Sequence, residues 1–147
     1  MMDLNKRIIE EVMKWKGVKY QHRSTTKQGC DCTGLIVGVM QALGYIKSYK
    51  MRKYPSDWNL HSMADNYILE EIEKFADKVS DMKSGDIVLF RFGKCIAHAG
   101  ILLENKLFIH NHKKAGRCNL SSIRGVNKWA ERLMGTYRFN IDKLKVA

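Results

Sequence analysis

The chain has 147 residues and a formal net charge of +11, with only one proline and four cysteines. This length suits a single hydrophobic core, so we expect residues 1–147 to form one domain that needs no disulfide or metal for support. No apolar stretch is long enough to cross a membrane or to resemble a signal peptide, which predicts a protein made in the cytoplasm without a transmembrane anchor.

The first predicted element is an amphipathic helix near the N-terminus. Asp3 stands where a helix cap is expected, and charged residues separate the apolar positions that follow it. Those apolar positions recur at helical spacing: Leu4, Ile8, Val12 and Trp15.

The second predicted helix begins at Asp31 or Cys32. Gly44 stands where its C-terminal cap is expected, and the apolar positions recur at helical spacing: Leu35, Ile36, Val39, Met40 and Leu43. At a helix N-terminus, unpaired amides and the helix dipole stabilise a negative sulfur, so we predict a lowered pKa for Cys32 and a nucleophilic thiolate. Cys30 precedes the helix, cannot share this position and is assigned no chemistry.

The middle of the chain is the least regular part. Lysines and an arginine mix with aromatic residues from Tyr45 to Asn59, around Pro55, and we interpret this segment as a basic insertion. Such a surface attracts polyanions, for example a cell-wall polymer or a nucleic acid, or serves solubility alone. Apolar residues at helical spacing then predict a helix between Met63 and Val79.

Three strands are predicted in the second half of the chain: Gly85 to Phe92, His98 to Leu103 and Leu107 to His112. Side chains alternate between the two faces of a strand. One face of the last two strands is uniformly aliphatic and suits a core: Ile101, Leu103, Leu107 and Ile109.

The length of the loop around Glu104-Asn105-Lys106 decides where the histidines lie. An odd number of loop residues places His98 and His110 on one face, whereas a two-residue turn places them on opposite faces. On one face, a histidine can take the proton of a thiol such as that of Cys32, and the second histidine can orient the first.

Four motifs, in this order, resemble those of the NlpC/P60 family of cell-wall cysteine peptidases: Asp31-Cys32-Thr33-Gly34-Leu35, Ser84-Gly85-Asp86-Ile87-Val88-Leu89-Phe90, His98-Ala99-Gly100-Ile101 and Phe108-Ile109-His110. The likeness covers nearly the whole chain. The Cys-Asp-Cys form of the first motif and the ending Gly135-Thr136-Tyr137-Arg138-Phe139 are most similar to the small branch found in phage tails and gene transfer agents.

The resemblance implies a papain-like α+β fold, in which the helix of the nucleophile packs on an antiparallel sheet of about five strands. It also implies that Cys32 is the nucleophile, His98 the general base and His110 the orienting residue. We expect no cofactor or metal at this site. The remaining implied site residues, for substrate or oxyanion binding, are Tyr20, Asp31 and Thr33.

The implied reaction is hydrolysis of an amide bond in a peptidoglycan stem peptide, of the γ-D-glutamyl-diamino acid type, through an acyl-enzyme on Cys32. The implied partners are that peptide and, through the phage-tail branch, the tail proteins of a virion or particle that carries the enzyme to the wall. Nucleic acid is not an expected partner of such an enzyme.

Three alternatives stay open from the sequence. The same cysteine and histidines serve amidases and acyltransferases that act on other substrates. A non-catalytic basic module of a phage-like particle would instead use the charge and the segment Tyr45 to Trp58. A zinc site is the third alternative, although Cys-x-Cys lacks the usual gap between ligands, and its ligands would come from Cys30, Cys32, His98, His110 and Cys118.

Overall fold

The computed structural model describes residues 3–47, 49, 67–93 and 95–144, without the side chains of Tyr67 and Cys95. These ranges contain five α-helices: α1 (Leu4–Met13), α2 (Cys32–Ala42), α3 (Tyr67–Glu73), α4 (Lys128–Arg132) and α5 (Ile141–Leu144). They also contain eight strands: β1 (Thr25–Thr26), β2 (Gly29–Cys30), β3 (Ala76–Val79), β4 (Ile87–Phe92), β5 (Cys95–Leu102), β6 (Leu107–His112), β7 (Arg117–Ser122) and β8 (Leu133–Phe139).

Strands β3 to β8 form one antiparallel sheet of six strands in the order β3-β8-β4-β5-β6-β7. The short strands β1 and β2 pair separately, just before α2. This arrangement confirms the predicted α+β fold, in which a helix that begins with a cysteine packs on an antiparallel sheet. The sheet has six strands where about five were expected.

A helix is present between Met63 and Val79 as predicted, but its predicted C-terminal end is wrong. Helix α3 covers Tyr67–Glu73, and residues 63–66 lie outside the described residues. Ala76–Val79 form strand β3, which pairs with β8 at the edge of the sheet. Apolar spacing alone cannot distinguish one long helix from a short helix followed by a turn and a strand.

The main core lies between α1, α2, α3 and one face of the sheet. The apolar residues predicted for α1 and α2 pack there against Ile101 and Ile109 of the sheet and against Leu103, which directly follows β5. Leu107, expected on the same aliphatic face, is instead 36% exposed. A second, smaller core covers the other face of the sheet and is largely aromatic: Val88, Phe90, Leu102, Phe108, Ile123 and Trp129.

The buried carboxylate of Asp86 links α1 to the sheet. Asp3 occupies the N-cap position of α1 as predicted, but its side chain makes no capping hydrogen bond. The Asn5 side-chain amide instead donates to the Ser84 carbonyl at 2.8 Å and to Asp86 Oδ1 at 3.1 Å. Asp86 is fully buried and accepts two 2.9 Å hydrogen bonds from Arg138 of β8. The Gly85-Asp86 motif thus has a structural role.

No helix within the described ranges has the length and apolar character needed to cross a membrane. Most of the basic segment predicted from Tyr45 to Asn59 lies outside the described residues, which include only 45–47 and 49 of it.

We predict that Asp86→Ala lowers the free energy of unfolding by about 3 kcal/mol, because it removes a buried carboxylate and leaves its hydrogen-bond donors on Asn5, Lys83 and Arg138 without that acceptor. Urea unfolding followed by circular dichroism measures the change. Asp77→Ala, which removes the surface ion pair with Lys143, is the matched control and should change stability little. Equal losses in the two variants would contradict a special role for the buried carboxylate.

Candidate active site

The β5–β6 hairpin brings the two predicted histidines together. It closes through a turn of three residues, Glu104–Lys106, and its register pairs Ile101 with Ile109. His98 and His110 therefore lie on the same face of the sheet, as the odd-numbered loop predicts. His98 Nε2 and His110 Nδ1 are 2.6 Å apart, and each residue is only 3% exposed.

A hydrogen-bonded chain continues beyond the second histidine. His110 Nε2 lies 2.8 Å from the hydroxyl oxygen of Ser121, which belongs to the neighbouring strand β7. The serine hydroxyl both donates and accepts hydrogen bonds, so it can pair with either tautomer of His110. His98 is thus positioned by His110, which is in turn positioned by Ser121. The family motifs do not include Ser121, and the sequence prediction omits it.

A third imidazole, also absent from the sequence prediction, belongs to the same cluster. The ring centre of His112 lies 5.1 Å from that of His98, and the ring stacks on Phe92 at 6.1 Å. Trp129 of α4 packs over the cluster, with ring centres 4.9 Å from His110 and 5.2 Å from His98. The sequence could have indicated His112, because it lies two residues after His110 on β6 and side chains two residues apart in a strand share a face.

The start of α2 is held by Asp31, which is 1% exposed. Its Oδ1 accepts a hydrogen bond from the Gly34 amide at 2.7 Å, as an N-cap does, and its Oδ2 accepts one from the Arg23 amide at 2.8 Å. A side chain at Gly34 would lie 1.8 Å from the Ser24 carbonyl oxygen. The Asp-Cys-x-Gly pattern therefore fits a helix start pressed against the preceding loop, and it fixes where Cys32 lies.

Cys32 is the first residue of α2 and is partly buried. The backbone amides of Ala99 and Thr33 are close enough to favour a negative charge on its sulfur and so to lower its pKa. Because Ala99 follows His98 on β5, the sulfur lies beside the strand that carries the first histidine. Thr33 is buried, and its hydroxyl oxygen lies 3.9 Å from the sulfur.

A β-bulge occurs where β5 approaches Cys32. Phe90 pairs with His98 whereas the next residue, Arg91, pairs with Ile96, so Ala97 is an extra residue on β5. Bulges bend a strand and redirect its side chains, and they are frequent next to active sites.

Cys32 and His98 line the same cavity of about 380 Å³, a volume suited to a small ligand or a peptide segment. The lining also contains Tyr20, Asp31, Ala97, Asn111 and His112, with Ile68, Phe92, Lys113, Lys114, Lys128 and Arg132 at its sides. Four of the six predicted site residues therefore meet at one cavity. His110 contacts His98 from behind, and Thr33 contacts the sulfur.

The predicted lowering of the Cys32 pKa is wrong. Burial raises the pKa of this thiol to about 12, and the negative charge of Asp31 acts in the same direction. The contacts of the sulfur with Thr33 and with the backbone amide of Ala99 lower the pKa but do not offset the burial. Cys32 is therefore a neutral thiol at pH 7, and an attack on a carbonyl requires a base that removes its proton.

All three imidazoles are neutral at pH 7. Burial, with the charges of His110 and His112, lowers the pKa of His98 well below its usual value. Burial, with smaller effects of His112 and Lys128, lowers the pKa of His110 to about 3. The pKa of His112 is lowered by burial and by Lys128 and Lys114. A neutral His98 has a free ring nitrogen and can accept a proton.

Tyr20 lies at the cavity beside the predicted nucleophile. Burial raises the pKa of its hydroxyl above the usual value, and the charges of Cys32 and Asp31 contribute, so the hydroxyl stays protonated and can donate a hydrogen bond. The Tyr20 amide donates to the Gly116 carbonyl at 2.8 Å, which holds this segment against the β6–β7 turn.

Asn111 is fully buried and ties the Tyr20 segment to the residues before α2. Its side-chain amide donates to the Cys30 carbonyl at 2.8 Å and lies 3.2 Å from the carbonyls of Val18 and Lys19. The sequence offers little signal for this role, because it depends on contacts more than eighty residues apart.

The other described cysteines lie in the core rather than at the cavity. Cys30 and Cys118 are both buried, and the Cys30 sulfur accepts a hydrogen bond from the Asn111 side-chain amide at 3.3 Å. For the zinc alternative, no group of three His, Cys, Asp or Glu side chains within the described residues has an arrangement suited to holding a metal ion.

Comparison with known sequences identifies relatives of the chain. The sequence profile of the NlpC/P60 family matches residues 17–138. The murein DD-endopeptidase MepS/murein LD-carboxypeptidase of Escherichia coli K12 is 30% identical over 115 residues, which are 78% of this chain and 53% of that protein. The chain thus spans about half the length of this curated relative.

Solved structures share the fold. The NlpC/P60 domain of the peptidoglycan hydrolase SagA superposes with a TM-score of 0.60 at 15% identity, covering 93% of this chain and 100% of that one. RipD from Mycobacterium tuberculosis, described as a non-catalytic domain adapted to peptidoglycan binding, gives a TM-score of 0.57 at 10% identity, covering 93% and 97%. At these identities the likeness extends to the fold alone.

The raised thiol pKa predicts how Cys32 reacts with iodoacetamide. Thiolate is the reactive form, so the alkylation rate should rise about tenfold per pH unit from pH 7 to pH 9, without levelling off. Peptide mapping by mass spectrometry isolates the rate at Cys32 from the other cysteines. A rate that is already maximal near pH 7 would instead indicate a preformed thiolate.

Proposed function

Because the chain belongs to the NlpC/P60 family, we propose that it is a cysteine peptidase that hydrolyses an amide bond in peptidoglycan stem peptides. The observation that carries the proposal is the cavity shared by the Cys32 thiol and the His98 imidazole, with His110 hydrogen-bonded behind His98. A nucleophile, a base and an orienting group are the parts that acyl transfer through a thiol requires.

One arrangement of protons suits His98 as a base. If His98 accepts the thiol proton on Nδ1, its Nε2–H donates to His110 Nδ1. His110 then carries its own proton on Nε2 and donates to the Ser121 hydroxyl oxygen. Each neutral imidazole has one donor and one acceptor nitrogen, so all the hydrogen bonds of the chain are satisfied.

The reaction begins from neutral groups. As the sulfur of Cys32 attacks the carbonyl carbon, His98 takes the thiol proton, and an S–C bond forms. The backbone amide of Cys32, in the first turn of α2, has no partner within the helix and is placed to stabilise the oxyanion. The C–N bond then breaks as His98 returns the proton to the leaving amine, and water hydrolyses the resulting thioester.

The remaining predicted residues take different roles in this proposal. Asp31 is a positioning residue, because its carboxylate holds backbone amides at the start of α2 and cannot stabilise an oxyanion. Thr33 positions the sulfur from the helix side. Tyr20 is the one side chain of the three that offers a hydrogen-bond donor to a substrate in the cavity.

Three further parts of the proposal concern the bond that is cleaved, the extent of the catalytic domain and the way in which the protein reaches the cell wall. We place the cleaved bond between γ-D-glutamate and the diamino acid, and residues 1–147 in one catalytic domain. The Cys-Asp-Cys motif supports the phage-tail branch, and delivery to the wall on a virion or particle follows from that branch. The name of the Escherichia coli relative cites different cleavages, DD-endopeptidase and LD-carboxypeptidase, so product analysis must identify the bond.

A non-catalytic peptidoglycan-binding module is the second candidate. The neutral, partly buried thiol of Cys32 is the observation that favours it, because such a thiol is inert unless a base removes its proton. Amidase or acyltransferase chemistry on another substrate would use the same cysteine and histidine and would differ only in its products.

We predict that reduced wild-type protein releases new peptide termini from purified peptidoglycan, whereas Cys32→Ala releases none. Mass spectrometry of the fragments identifies the bond, and circular dichroism shows whether the variant keeps its fold. Cys118→Ala, which removes a buried thiol outside the cavity, is the matched control and should retain cleavage if it folds. Fragments released equally by Cys32→Ala would exclude the thiol mechanism, and a folded wild type that releases none would favour the binding module.

A further inference from the structure

The cavity that contains Cys32 and His98 has a basic rim. Its lining includes four cationic side chains from two separate elements: Lys113 and Lys114 in the β6–β7 turn, and Lys128 and Arg132 on α4. The acidic residue among the described lining residues is Asp31, and both of its carboxylate oxygens accept hydrogen bonds from backbone amides. A bound ligand therefore meets an excess of positive charge at this rim.

The four cations of the rim have no carboxylate partner within the part of the chain that the structure describes. The ion pairs found there use other cations: Lys14, Lys27, Lys74, Lys83, Arg138 and Lys143. The positive charge at the cavity is therefore not neutralised by any described carboxylate and can interact with a ligand.

Two of these cations converge on the histidine cluster. Lys114, Lys128 and His112 line the same cavity although the two lysines come from different elements, and both positive charges lower the pKa of His112. The His112 ring is in turn 5.1 Å from that of His98. An anion held by both lysines would therefore lie next to the catalytic base of the proposed reaction.

The α4 side of the rim is held in place by aromatic contacts. The Arg132 guanidinium lies 4.6 Å from the centre of the Phe92 ring, and its Nη1 is 3.5 Å from the Arg91 carbonyl oxygen. The Lys128 ammonium lies 5.3 Å from the centre of the Trp129 ring. Such cation–π contacts restrict side chains that would otherwise be mobile, so less entropy is lost when they bind an anion.

We propose that Lys114 and Lys128, supported by Lys113 and Arg132, form a carboxylate subsite that binds a free carboxylate of the substrate next to the scissile amide. The subsite rests on the proposed function and adds to it the selection of substrates by charge. A carboxylate forms charge-assisted hydrogen bonds with these cations, whereas a carboxamide at the same place cannot neutralise them.

The subsite also serves the chemistry. The positive charges of Lys114 and Lys128 disfavour protonated imidazoles in the cluster. A bound carboxylate offsets these charges and favours a protonated imidazole in the cluster that contains His98. Substrate binding and activation of the base would thus be coupled.

Two synthetic stem peptides that differ in one group test the subsite: one has a free carboxylate next to the scissile amide, and the other has a carboxamide there. Calorimetry with Cys32→Ala measures binding without cleavage. We expect the carboxylate peptide to bind about tenfold tighter, the order expected for a charge-assisted contact. Adding Lys114→Gln and Lys128→Gln should reduce this preference to less than about twofold. Adding Lys6→Gln, on the exposed side of α1, should leave it unchanged.

Equal binding of the two peptides, or no binding of either, would overturn the subsite. An equal loss of affinity for both peptides in the double lysine variant would also overturn it. Tighter binding of a single-stranded oligonucleotide than of either peptide, dependent on the same two lysines, would do so as well. Hydrolysis by the wild type is measured in parallel. Preferential binding without hydrolysis would retain the subsite and reject the peptidase, whereas hydrolysis of both peptides at equal rates would retain the peptidase and reject the subsite.

Discussion

The closure of the β5–β6 hairpin is the constraint on which the site depends. Asn105 and Lys106 both adopt positive φ, 58° and 59°, and they complete a turn of three residues. With one residue fewer, the alternation of side chains would bring His98 and His110 to opposite faces of the sheet. Gly100 supports the same register, because a side chain there would lie 2.9 Å from the carbonyl oxygen of Ile109 on β6.

The start of α2 and the β5–β6 hairpin together determine how Cys32 and His98 are placed relative to each other. The cap formed by Asp31 fixes the first turn of α2, and the bulge at Ala97 lets β5 pass beside it. Cys32 is consequently placed next to the strand of His98 without a flexible segment between them. This placement buries both groups, which keeps the thiol and the imidazole neutral.

The sequence was sufficient to predict the parts that follow from periodicity. Apolar spacing located α2 with its start at Asp31 or Cys32, and alternation along β5 and β6 placed His98 and His110 on one face on the condition that the loop between them has an odd number of residues. The boundary between α3 and β3 was missed because both have apolar residues at compatible spacing. The correct and the missed predictions have the same cause. A local sequence pattern indicates which face of a helix or strand is apolar, but it does not indicate which other elements pack against that face.

The electrostatics of the site could not be read from the sequence in the same way. A helix N-terminus favours a thiolate, but the opposing effects of burial and of Asp31 depend on tertiary packing and are larger here. The hydrogen bond from His110 to Ser121 and the packing of Trp129 likewise depend on β7 and α4, which no motif connected to the site. Contacts between distant segments therefore decide the protonation states of the groups that a motif identifies.

The central claim is that Cys32 forms an acyl-enzyme, and intact-protein mass spectrometry after acid quench tests it most directly. The wild type, mixed with an excess of stem peptide, should gain the mass of the acyl half of the peptide, and digestion should map that mass to Cys32. Cys32→Ala should gain nothing. Cleavage products that accumulate without any covalent adduct, and that Cys32→Ala also forms, would contradict the account.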